Sequence, residues 1–244
     1  MFGKIKTIFT DRKERQDQRN LKLVRNAKAI REDRWAAIQY FKEHDDPHVG
    51  VQSLLDRFEY SLEHGINDTR EKEASMEGIL GFKDKALPIV RERLAKTTRI
   101  AWPIKVLKAL ASDKSVVEGL ISALNFDDVS FDQGQVDKNY DVLCYLRDYK
   151  LPDEVERLSH FLKDADERVR FACCEFLVEQ ENPAVAAMVE PFLSDQSAEN
   201  LRLRQAAVEG FLNHGWKLKN PASFPNGQVV GNISVNASSQ LFRR

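Results

Sequence analysis

The stretch DERVRFACCE, residues 166–175, returns as NLRLRQAAVE at residues 200–209. Asp166 or Asn200 opens each copy, followed by Arg168 or Arg202, an apolar residue, Arg170 or Arg204, Ala172 or Ala206, and Glu175 or Glu209, at an offset of 34. A third copy, DTREKEASME at residues 68–77, keeps the pattern at an offset of 98, with Lys72 in place of the second arginine. Self-similarity at 33 or 34 residues is the mark of short helix-pair repeats, which bury their apolar faces by stacking on neighbours.

Outward from these copies, apolar residues recur at helical spacing. The first pair is predicted over 33–42 and 47–62, with Trp35, Ile38 and Phe41 facing Val51, Leu54, Leu55 and Phe58. The second opens at Asp68 and continues from Pro88. The third covers 100–111 and 115–124, the fourth 138–149 and 152–162, and the fifth 167–179 and 183–193. A last helix spans 199–213 and ends at Gly215. Pro47, Pro88, Pro152 and Pro183 suit first-turn positions, where a missing N–H is harmless. Gly215 suits a left-handed cap. Trp102 is read as core and Pro103 as a first-turn residue or a kink. The pattern predicts an all-α fold of five helix pairs plus a terminal helix over 33–215.

The segment 166–195, with Asp166, Val169, Arg170, Ala172 and Asp195, resembles the bacterial HEAT-like repeat of the phycobilisome-lyase type. Asn200, Leu203, Arg204 and Ala206 match the following copy. The resemblance implies a right-handed α-α superhelix, a HEAT-like solenoid, with a concave face of second helices. It also raises the chemistries known on that scaffold. Dinuclear iron hydroxylases of this kind use His-Glu dipeptides, and this sequence has only the inverted Glu43-His44 and Glu63-His64. Alkylpurine DNA glycosylases need a basic groove, whereas the second helices here mix Asp56, Glu59, Glu118, Glu154, Glu156 and Glu190 with Arg57, Arg91, Arg93 and Arg157. A bilin lyase remains an alternative that no residue pattern supports.

The ends differ from the array. Residues 1–34 hold 11 Lys and Arg against 5 Asp and Glu, so this arm carries +6 within a chain of net charge −1. Residues 1–32 are read as a basic helical arm, its charged 11–34 stretch as a solvated helix. Its first turns set Phe2, Ile5 and Phe9 beside Lys4 and Lys6, a pattern that suits docking on the first repeat, a partner, or an anionic membrane surface. Residues 216–244 are rich in Asn, Ser and Gly. A small hairpin about Gly231 and Asn232 is predicted there, with Phe224 and Leu241 as anchors of a cap.

The remaining signals exclude more than they assign. No apolar run reaches the roughly 18 residues of a membrane span, and no secretory signal is read at the N-terminus. Cys144, Cys173 and Cys174 are an odd number without CxxC spacing. They are read as helical core thiols of a cytoplasmic protein. Glu43, His44, Asp45, Asp46 and His48 form a polar cluster, read as an inter-helix loop. Arg170 and Arg204 are read as pairing with the loop acids Asp164, Asp166 and Asp195, linking repeats. The long acidic loop 126–136 is read as a bend or contact segment. No catalytic residue, cofactor or metal is expected. The functional expectation is a scaffold that binds a protein partner of basic character on the concave face, through Asp56, Glu59, Arg91, Glu118, Glu156, Arg157 and Glu190. Nucleic acid is not the expected partner, and oligomeric state has no sequence signal.

Overall fold

The structure, a computed structural model, describes residues 2–127, 132–224 and 227–244, with the side chains of 2–11 outside the description. The chain forms two compact units, Met1–Ala123 and Leu124–Arg244. Among the described residues there are twelve α-helices and one small antiparallel sheet.

The first unit holds α1 (Phe2–Val24), α2 (Arg31–Lys42), α3 (Pro47–Asp56), α4 (Gly65–Gly81), α5 (Leu87–Lys96), α6 (Ala101–Leu110) and α7 (Asp113–Ala123). Contacts follow a fixed rule. α2 packs on α4 and α4 on α6, while α3 packs on α5 and α5 on α7. The odd and even helices thus make two layers, with Phe41, Leu54, Leu55, Ile79, Leu94 and Leu107 fully buried between them. Local chemistry sets the ends. Asp46 caps α3 by accepting from the His48 and Val49 N–H groups, with Pro47 in the first turn. Trp102 is half-buried, stacked on Phe58 with Lys105 over its ring.

The arm is no free solvated helix. From Lys13 onward α1 docks on α2 and α3. Lys13 meets Asp45 at 3.0 Å, Asp17 accepts from the Tyr40 hydroxyl, and Tyr60 donates to the Val24 carbonyl. Burial, then the hydrogen bond to Asp17, pushes the Tyr40 phenol up to about 12.

The second unit holds α8 (Gln133–Leu146), α9 (Val155–Leu158), α10 (Glu167–Val178), α11 (Ala184–Leu193) and α12 (Leu201–His214). α10 lies between α8 and α12, and α11 packs on α12. Gly210 permits the α10–α12 approach, because a Cβ there would meet Val178 Cγ1 at 2.6 Å. α8 starts five residues before the expected Lys138, since Asp132 caps it through the Gly134 N–H. The expected helix over 152–162 is only one α-turn between two stretches of 3₁₀ helix. Val155, Leu158 and Phe161 are buried there at a spacing of three, which fits 3₁₀ geometry. Of the loop 126–136, residues 128–131 lie outside the described residues.

The C-terminal segment forms β1 (Gln228–Val230), β2 (Ile233–Val235) and β3 (Leu241–Arg243), antiparallel in that order. The predicted hairpin is present, with Gly231 at φ 52, and a third strand joins it. Phe224 and Leu241 are both buried. β3 lies against α12, and Trp216 packs edge-on against Phe211 after the left-handed Gly215 cap.

One polar device recurs. Arg34 Nη1 donates to the Ala29 carbonyl in the loop before its helix, and its Nε and Nη2 take both carboxylate oxygens of Glu71 in α4 at 2.9 and 2.8 Å. Arg170 Nη1 donates to the carbonyls of Asp164 and Ala165, and its Nε and Nη2 take Asn200 Oδ1 at the start of α12. Arg170 therefore grips backbone carbonyls and an amide, not the loop carboxylates expected. Arg34 precedes it by four spacings of 34.

Glu71 also accepts from Arg57 Nε at 2.8 Å, and all three side chains are buried. Burial works to raise the Glu71 pKa, but the hydrogen bonds from Arg34 and Arg57 outweigh it and hold it below its usual value of 4.5. A depressed carboxylate stabilises the fold above its unfolded pKa and loses that contribution as pH falls through the folded value. Glu71→Gln should cost about 3 kcal/mol in denaturant unfolding at neutral pH, because the buried Arg34 guanidinium loses its counter-charge and buried Arg57 keeps only Asp68. The gap from the unsubstituted protein should narrow below the usual carboxylate range. A gap that is constant down to about pH 3 would contradict this assignment.

Candidate interaction surface

The layer of α3, α5 and α7 in the first unit carries two adjoining grooves. One, of about 450 Å³, lies between α1 and α3. Leu21, Phe41, Val49 and Ser53 form its half-buried or buried inner wall, and Glu14, Gln18 and His48 stand exposed around it. The other, of about 340 Å³, lies between α3 and α5 and is lined by Glu59, Glu92, Arg93, Lys96 and Thr97. Gln52 lines both. Their sizes lie in the range of small binding clefts.

The expected site residues divide into several fates. Asp56 is buried, and its two oxygens take Arg93 at 2.7 Å and Arg25 at 2.8 Å. It joins helices and is not an exposed partner contact. Glu59 accepts from Arg93 and from Thr97 Oγ1 at 3.0 and 2.9 Å. Arg91 binds Ser115 and pairs with Glu118 at 3.1 Å. Acids on one helix of this layer thus meet arginines on the next, so much of the expected negative charge is neutralised within the face. For Arg93, burial works to lower the pKa, but Asp56 and Glu59 raise it overall. What remains acidic and uncommitted to this ladder is Glu14 on α1 and Glu92 beside Lys96.

In the second unit, Glu156 is exposed. Arg157 pairs with Glu154 and lies 4.9 Å over the Phe126 ring. Glu190 is buried, which removes it from any exposed face. Its carboxylate accepts the backbone N–H groups of Lys219 and Asn220 at 2.9 and 2.8 Å, fixing the C-terminal segment. The side chains of Phe2, Lys4, Ile5, Lys6 and Phe9 lie outside the described residues.

The remaining groups have structural positions. His44 is buried against Tyr40 and Phe41, with Nε2 3.2 Å from Asp17, and Asp46 is the α3 cap. Among the described residues no cluster of three His, Cys, Asp or Glu could hold a metal ion. Cys173 and Cys174 are buried, and burial pushes Cys174 up to about 12 and Cys173 up as well. Cys144 is half-buried, with its thiol also raised by burial. No helix of the described residues is long and apolar enough to cross a membrane. The groove between α1 and α3 had no sequence signal, because it arises where α1 docks on α3, and the charged arm reads as solvated.

No protein-family model, curated protein or solved structure matches this chain.

Two outcomes follow from these positions. Glu190→Ala should release the backbone at Lys219, so trypsin cuts at Lys217 or Lys219 about tenfold faster in the folded protein. Unchanged cleavage would mean that the segment is held without Glu190. An aromatic disulfide reagent should modify Cys144 alone in the folded protein and all three thiols after denaturation. Fast modification of a second thiol in the folded state would contradict the burial of Cys173 and Cys174.

Proposed function

We propose that the chain is a non-catalytic scaffold of HEAT-like repeats, each unit a stretch of right-handed α-α superhelix. On this reading its working surface is the concave layer of α3 and α5 together with α1. The observation that carries the proposal is the pair of adjoining grooves meeting at Gln52. The alternate packing of odd and even helices and the recurrent arginine geometry support the repeat reading. Clefts with a part-apolar wall and a polar rim suit an extended or helical protein segment.

The ion-pair ladder narrows the partner's chemistry. Asp56, Glu59, Arg91 and Glu118 are engaged with neighbours, so they order the face more than they attract a ligand. Selectivity then rests on apolar side chains entering beside Leu21 and Val49, with a basic residue meeting Glu14 at the rim. The free, largely buried cysteines support a reducing compartment such as the cytoplasm.

Site-specific photocrosslinking in living cells tests this reading. A benzophenone amino acid at Gln52 should give a discrete protein adduct, and the same group at exposed Ala109 on α6 should not. Val49→Glu should reduce the Gln52 adduct about tenfold by placing a charge in the apolar wall. Equal adducts from both positions, or a Gln52 adduct indifferent to Val49→Glu, would overturn the assignment.

A further inference from the structure

Arg204 repeats only half of the device seen at Arg34 and Arg170. Its Nη1 donates to the Asp195 carbonyl and to Gln196 Oε1, both at 2.9 Å, closing the loop before α12. Both of its side-chain bonds leave from that nitrogen. Its Nε is buried and has no hydrogen-bond partner among the described residues. The edge formed by Nε and Nη2, which takes Glu71 from Arg34 and Asn200 from Arg170, is here without an acceptor. A shielded guanidinium donor without an acceptor is costly, and this edge matches a carboxylate in two-pronged geometry.

The surroundings point to a ligand. Arg204 is 8% exposed and lines a groove of about 400 Å³ between α12 and the β1–β2 turn. Leu201, Val208, Val230 and Ile233 give the groove an apolar lining, and Leu201 is 45% exposed. The other charges lining it, Glu209 and Arg243, are paired with each other at 2.7 Å. The nearby Asp195 carboxylate is held by the Ser197 N–H and by Asn200. Asp195 feels the Arg204 charge but makes no ion pair with it, so the Nε and Nη2 donors of Arg204 are left without a carboxylate among the described residues.

We propose that this groove docks an acidic segment of a partner protein, with an Asp or Glu carboxylate against the Arg204 guanidinium and an adjacent apolar side chain against Leu201. The ligand supplies the acceptor that the next helix supplies at Arg34 and Arg170. The proposal does not depend on the grooves beside α3.

The arginine Nε–H resonances of the 244-residue chain test it directly. The probe is the peptide N-acetyl-Leu-Asp-Leu-amide, with N-acetyl-Leu-Asn-Leu-amide as the neutral control. The Arg204 signal should shift and saturate with the Asp peptide while the Arg170 signal stays in place. The Asn peptide should bind about tenfold more weakly. Arg204→Gln should abolish binding. Leu201→Glu, at a half-exposed position where folding is retained, should abolish it as well by repelling the carboxylate. A stationary Arg204 signal, equal response to both peptides, or undiminished binding to Leu201→Glu would overturn the proposal. So would a dimer in sedimentation that Leu201→Glu dissolves, since a second copy would then be the occupant.

Discussion

A guanidinium group has more than one edge, and a helix repeat needs two things joined: the loop behind the helix and the helix ahead. Arg34 and Arg170 do both at once. Nη1 donates to carbonyls of the loop behind, and the Nε and Nη2 edge reaches a side chain at the next helix that it packs on. Apolar burial between layers is non-directional and does not fix how one helix pair sits on the next. The arginine geometry does, because its donors are planar and fixed in angle. At Arg204 only the loop half of this geometry is made, and Nε has no acceptor among the described residues.

The same constraint changes the meaning of surface charge. Asp56, Glu59 and Glu118 look like an acidic face when counted along the sequence. In space they meet Arg93 and Arg91 from the neighbouring helix, with Arg25 closing the far side of Asp56. A charge already matched within the fold contributes little to attracting a partner. On the proposed reading, recognition falls to the grooves between helices, where Glu14 and His48 stand exposed at the rim.

Much of the architecture was legible in the sequence. The period of 34, Pro47 and Pro88 in first turns and the Gly215 cap place most helices within a few residues, since caps and apolar spacing are local signals; Pro152 instead opens a 3₁₀ stretch and Pro183 sits just ahead of α11. The docking of α1 was not legible. Asp17 and Lys13 look solvated until Tyr40, His44 and Asp45 are brought opposite them. The irregular 152–163 segment was also hidden, because a spacing of three serves α and 3₁₀ helices alike. The candidate surface was the least legible part. Burial of Asp56 and Glu190 depends on contacts 29 to 37 residues away, which helical periodicity does not encode.

One arginine edge couples helix to helix at two places, α2 to α4 and α10 to α12. A double-mutant cycle on Arg170 and Asn200 tests it most directly, with Arg170→Gln, Asn200→Ala and the double variant compared in denaturant unfolding. The arrangement calls for a coupling of about 1 to 2 kcal/mol, as expected for paired hydrogen bonds from a charged donor. Strictly additive effects would show that the contact is incidental and that apolar packing alone sets the order of the helices.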